Sequence, residues 1–265
     1  MKALRGIGLS ILMLLFLTVG VTYTQNPAEE SFNKGMEYAV QGKFPKAKEE
    51  FEKALKVDPF NGPAKFYLKT IKDVIEQKIK SQTAIHLFKG ISYIAKGQYN
   101  QAISDFNRAL EINPKYAEAY NERGVVYDDK GQYDLAISDY TKAIEINPKL
   151  AEVYNNRAFA YYAKGQHDLA ISDFNRALEI NPKFAIAYNN RGLAYYAKGQ
   201  YDEAISNYTK AIKINPKYAA AYNNRGFLYF VKLGNNVKGC ADFNKVCELG
   251  ECSSYNILKQ RGDCP

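Results

Sequence analysis

Five kinds of side chain stand in patterns that could do chemistry. All four cysteines, Cys240, Cys247, Cys252 and Cys264, crowd the end of the chain. Arg123, Arg157, Arg191 and Arg225 stand 34 residues apart, and so do Asp105, Asp139 and Asp173, with Asn207 breaking the acidic run. Paired asparagines keep the same period: Asn155-Asn156, Asn189-Asn190 and Asn223-Asn224, with Asn121 alone before them. The only histidines are His86 and His167, each at a position held by Tyr in the neighbouring periods.

Arginine and aspartate in step suggest forked, charge-assisted hydrogen bonds, because a guanidinium presents two parallel N–H groups to a carboxylate. A buried Arg needs such a partner. We therefore expect each Arg to reach an Asp of its own or a neighbouring period and to act structurally. The amides suit either of two roles. They could contact the backbone of an extended peptide, the reading taken here, or hydrogen-bond between periods; each carries donors and an acceptor. No set of residues reads as a nucleophile with its base, a phosphate loop or a metal-binding helix. The two histidines read as packing residues and the periodic carboxylates as solvated helix faces. The expectation is a chain that is not an enzyme, with no cofactor and no metal.

These residues need elements to hold them, and the period supplies those. Pro114, Pro148, Pro182 and Pro216 are 34 apart, as are Gly97, Gly131, Gly165 and Gly199, and Ala102, Ala136, Ala170 and Ala204. In residues 185–218, Tyr188, Gly192 and Tyr195 share one helical face. Gly199 ends that helix by taking the left-handed backbone. Ala204, Ile205, Tyr208, Ala211 and Ile212 form the apolar stripe of a second helix, which Asn215-Pro216 stops. Such short hairpins cannot bury their faces alone, so they must stack.

The pattern resembles the tetratricopeptide repeat. Each unit has a small residue at its eighth place (Gly90, Gly124, Ala158, Gly192, Gly226) and Tyr at its eleventh (Tyr93, Tyr127, Tyr161, Tyr195, Tyr229). Ala stands at the twentieth, an aromatic at the twenty-fourth (Phe106, Tyr140, Phe174, Tyr208), and Pro closes the unit. The resemblance implies an all-α right-handed solenoid with units at 28–61, 83–116, 117–150, 151–184, 185–218 and 219–252. Residues 62–82 lie out of phase and read as one long helix covering the first unit, with a boundary or hinge near Ser81–Thr83. The last unit has a loop one residue longer, and residues 253–265 read as a capping helix.

The resemblance further implies that first helices line a concave groove. Carried over, the lining is Glu118, Asn121 and Asp128 in one unit and Asn155, Asn156, Phe159 and Tyr162 in the next. It continues through Asn189, Asn190, Leu193 and Tyr196 to Asn223, Asn224, Phe227 and Phe230. The implied function is a protein-interaction scaffold that binds a peptide or protein in that groove. A self-associating envelope protein, able to form oligomers, is the alternative, and a small-ligand or glycan receptor is a third reading. The arginines depart from the family, which favours an apolar residue at the seventh place. The chain lacks the Lys that some members use to hold a partner's C-terminal carboxylate, so that clamp is not expected.

Lys2, Arg5 and the apolar run Ile7–Val21 read as an export signal ending near Thr24, too short for a spanning helix of ~20 residues. The expected location is thus periplasmic or secreted, without a stable membrane span. The net charge of +8 is scattered rather than clustered, which argues against nucleic acid. In oxidising surroundings four clustered cysteines form disulfides. Cys240 and Cys247 lie about 10 Å apart along one helix, too far to join. A last helix folding back would pair Cys247 with Cys252 and Cys240 with Cys264. Zinc is the rival, but the spacing lacks paired short knuckles.

Overall fold

The computed structural model describes residues 27–59 and 61–264. The expected export signal lies outside the described residues. Among those residues every regular element is helical. The helices divide into two compact units, one ending at Asn147 and the other beginning at Pro148. The expected boundary near Ser81–Thr83 does not coincide with that division.

In the first unit, α1 (Pro27–Val40) and α2 (Phe44–Val57) form a hairpin, as do α4 (Ser81–Ala95) with α5 (Tyr99–Ile112) and α6 (Ala117–Asp129) with α7 (Tyr133–Ile146). Between the first two hairpins lies α3 (Gly62–Ile75). It is shorter than the helix expected over 62–82. Gln77 takes a left-handed φ of 58°, and the amides of Gln77 and Lys78 turn back to Val74 O and Asp73 O, which closes the helix without a glycine. Nor is α3 simply an outer cover. Tyr67 is buried between hairpins, its ring 5.8 Å from Phe32, 5.9 Å from Phe51 and 5.5 Å from Phe88. Helix α4 packs on both α3 and α1, so α3 is an inserted layer inside the core.

The second unit repeats the hairpin with α8 (Ala151–Ala163) and α9 (His167–Ile180), then α10 (Ala185–Ala197) and α11 (Tyr201–Ile214). Gly165 and Gly199 sit in the turns between paired helices with φ of 75° and 74°, as the turn requires. Asn215, before Pro216, is extended, which stops α11. The third hairpin pairs α12 (Ala219–Phe227), continued by a π-turn (Leu228–Lys232), with α13 (Asn236–Glu248). Here the extra residue expected in the loop is absorbed in the helix instead. The Asn235 amide reaches six residues back to Tyr229 O, whereas its counterpart Gln200 reaches five back to Tyr195 O. Widening one helical turn admits a residue without breaking the chain of backbone bonds.

The chain closes with α14 (Ser253–Gln260), packed on α13. Cys240 is joined to Cys264 and Cys247 to Cys252, the pairing expected from a helix folding back.

Candidate functional site

The segments 120–124 (YNERG), 154–158 (YNNRA), 188–192 and 222–226 (both YNNRG) lie in the first helices α6, α8, α10 and α12, and their side chains have distinct tasks. Arg123 donates from Nε and Nη2 to the two oxygens of Asp139, 2.7 Å each, and from Nη1 to Asn107 Oδ1 at 2.5 Å. Arg157 forks onto Asp173 at 2.7 and 2.9 Å. Arg225 forks onto Asp242 at 2.8 Å and reaches Thr209 Oγ1 at 2.9 Å. Arg191 makes the same reach onto amides: Asn207 Oδ1 at 2.8 Å and Asn175 Oδ1 at 2.6 Å. Each guanidinium also lies over the Tyr that opens its own segment, at 5.3 to 5.8 Å for Tyr120, Tyr154, Tyr188 and Tyr222. One arginine thus ties its first helix to its second and, through Asn107, Asn175 or Thr209, to the preceding hairpin.

The expected arginine–aspartate fork is present at Arg123, Arg157 and Arg225. Asp105 is the exception: it faces His86, whose Nδ1 lies 2.7 Å from Asp105 Oδ1. Lys89 stands where the later units have Arg. His86 is therefore a hydrogen-bonding partner as well as a packing residue. Asp242 lies outside the acidic series read from the sequence. It falls into that series only when the inserted residue of the last unit is counted. Electrostatics separate the four arginines. For Arg123 and Arg157, burial works against the charge but the carboxylate bonds carry the pKa above the ordinary value. For Arg191, with no carboxylate in its fork, burial prevails and the pKa falls below it.

The asparagines form a second ladder. Asn190 Nδ2 donates to Asn155 Oδ1 at 3.2 Å, and Asn224 Nδ2 to Asn189 Oδ1 at 2.9 Å. The sixth place of one unit thus bonds the fifth place of the unit before it. Asn155, Asn189 and Asn190 are at most 1% exposed. Asn121 and Asp128 are buried as well. These five were expected to line an open groove, and the structure corrects that: they lie inside, where the bonding capacity of a buried amide must be met by neighbours. Replacing Asn189 by Ala removes its bond to Asn190 Oδ1 and strands Asn224 Nδ2. We expect a loss of about 2 kcal/mol in urea denaturation. Replacing exposed Asn223 should change stability by less than about 0.5 kcal/mol.

The remaining predicted lining stays accessible. Glu118, Asn156, Phe159, Tyr162, Leu193, Tyr196 and Asn224 are half-buried, Asn223 is exposed, and Phe227 is 44% exposed. Phe159 and Tyr162 pack at 5.9 Å, and Tyr196 lies 6.4 Å from Phe227 of the next hairpin. Burial, and then the nearby Tyr196 hydroxyl, push the Tyr162 phenol above its ordinary pKa. Phe230 departs from this series. It packs on α13, 6.2 Å from Phe243, because the π-turn shifts the chain beyond Leu228 out of the register that Tyr162 and Tyr196 keep. Val231 is left 54% exposed.

The geometry of hairpin, glycine turn and closing proline agrees with comparison to known families. A TPR repeat model matches residues 90–128, 126–165, 160–199 and 192–232, and a tetratricopeptide repeat model matches 28–61. The chain belongs to the tetratricopeptide repeat family. Its fold is accordingly an α-solenoid of helical hairpins. MamA is 30% identical, with a TM-score of 0.55, over 62% of this chain and 96% of that one. TTC0263, a thermophilic TPR protein of Thermus thermophilus, is 22% identical with a TM-score of 0.57, covering 68% and 98%. YrrB, described as a TPR protein with an unusual peptide-binding site, is 22% identical with a TM-score of 0.53, covering 72% and 96%; the likeness of these last two is one of fold. No curated protein sequence matches the chain. The family matches leave out α3, the start of α4 and the cysteine-bearing end beyond residue 232.

Proposed function

We propose that this tetratricopeptide repeat chain is a non-enzymatic scaffold that binds a peptide or protein segment on the first-helix face of its second unit. The observation that carries the reading is the row of half-exposed apolar side chains, four of them aromatic, on α8, α10 and α12. Phe159, Tyr162, Leu193, Tyr196 and Phe227 follow one another there while the asparagines behind them hold the hairpins together. Rings that present an apolar face and a polar tip, already stiffened by their neighbours, suit recognition at low entropic cost. Asn156, Asn223 and Asn224 add amide groups beside them for a partner's backbone. We further propose that the chain works outside the cytoplasm, where its disulfides persist. Among the described residues no helix is long and apolar enough to cross a membrane.

The test is selection of random twelve-residue peptides against the full chain, followed by titration of the enriched peptides. Changing Tyr162, Tyr196 and Phe227 together to Ala should weaken binding at least tenfold, the size expected for aromatic anchors, with an unchanged helical spectrum. Failure to enrich peptides, or equal binding by the triple variant, overturns the proposal.

A second reading, self-association, has its own observation. Val231, Leu233 and Val237 are 54%, 45% and 83% exposed around the π-turn, and neighbouring exposed apolar residues mark contact surfaces. Concentration-dependent sedimentation that is lost in Val237→Lys would favour it.

A further inference from the structure

We infer that α14 is a two-step redox latch on the last hairpin, held by its disulfides rather than by a core. None of the described side chains of α14 is buried, and its apolar Ile257 is 56% exposed. The buried residue at this end of the chain is Cys264, at 5%, lying against α13 through Cys240, at 4%. With Tyr255 and Leu258 only half-buried, an eight-residue helix has little apolar burial of its own to stay docked by. The two cross-links hold it instead.

The links are not equivalent. Cys240–Cys264 is sealed from solvent at both residues. Cys247 and Cys252 are partly exposed and bracket a turn that contains Gly250 at φ 105°. Disulfide exchange needs an attacking thiolate to reach a sulfur, so the outer bond opens first and the inner one afterwards. In each step a thiolate of a dithiol reductant attacks one sulfur and forms a mixed disulfide. The displaced cysteine thiolate takes up a proton. The reductant's second thiol then closes its own disulfide and frees the other cysteine. Two electrons pass to the protein, and the reductant leaves oxidised.

The inner bond is wired to the hairpin below. Cys240 shares α13 with Gly239, which touches Phe230, with Asp242, which holds Arg225, and with Phe243, which packs on Phe230. Opening Cys240–Cys264 releases α14 and loosens the helix that makes these contacts. Opening Cys247–Cys252 alone leaves α14 docked.

The experiment is graded reduction of the full chain with dithiothreitol, with alkylation of freed thiols and hydrogen exchange read at each stage. Cys247 and Cys252 should be labelled first while amide protection over 253–260 persists. Labelling of Cys240 and Cys264 should coincide with at least a tenfold loss of protection over α14 and a smaller loss over α13. Two variants separate the steps: C247S/C252S should retain α14 protection, and C240S/C264S should lose it. Protection over α14 that survives in C240S/C264S overturns the inference. So does labelling of Cys240 and Cys264 before the outer pair.

Discussion

Asp173→Ala is expected to destabilise the second unit by about 3 kcal/mol. The Arg157 side chain is only 17% exposed and both of its forked bonds end on Asp173. Taking the carboxylate away leaves a mostly buried charge without the group that offset its desolvation, the costly way to break a buried pair. The converse substitution tests the same physics with the opposite sign. Arg191 faces Asn207, and its pKa is lowered by burial. Asn207→Asp installs the carboxylate that the neighbouring hairpins use. It gives up the bond from Asn207 Nδ2 to Glu203 O, but a charge-assisted fork is the stronger interaction. We expect Asn207→Asp to raise stability by about 1 kcal/mol at neutral pH and to lose that gain on acidification through the carboxylate range. Urea denaturation of the two variants, followed by helical circular dichroism, decides the matter. If Asp173→Ala is neutral and Asn207→Asp destabilises, the forks do not hold the hairpins.

The second large effect is steric. A Cβ placed on Gly192 would lie 2.6 Å from Tyr208 Cε1, well inside contact distance. Tyr208 is 1% exposed and cannot swing away. Gly192→Val should therefore cost about 3 kcal/mol or more through overpacking. Gly192→Ala should be milder, because Ala158 occupies the same place against Phe174 one hairpin earlier. That comparison shows that the helices can open enough for one methyl group. A Gly192→Val variant that unfolds at the urea concentration of the parent would show that the approach of the helices is not set here.

How much of this was legible in the sequence depends on the range of the interaction. The hairpins were legible because glycine, proline and the apolar stripe act within a few residues of themselves. The arginine forks were legible because the partners keep one separation in each regular unit, and both recur. The pairing of the cysteines followed from helix rise, which separates Cys240 from Cys247, together with a last helix taken to fold back. The ladder of asparagines was misplaced for a physical reason. A period records that a residue is repeated, but both a ligand contact and an inter-repeat bond repeat identically, and only packing separates them. Gln77 was missed because a glutamine carries no mark of a left-handed turn. His86 was missed because it replaces a Tyr at one place while its Asp105 stays in the series, so the exchange of partner was visible only once Lys89 was seen to stand where Arg should be.

The asparagine bonds between hairpins run the same way: the later hairpin gives a hydrogen to the one before it. Such a stack has a head and a tail that are chemically unlike. Asn223, exposed on α12, is the outermost member of the accepting series. Among the described residues, no further hairpin follows α13 to set a donor opposite it. A unit copied after α13 would set its sixth-place amide against that acceptor. The stack of the second unit is therefore directional, with its accepting end at the hairpin that carries the sulfur-linked helix.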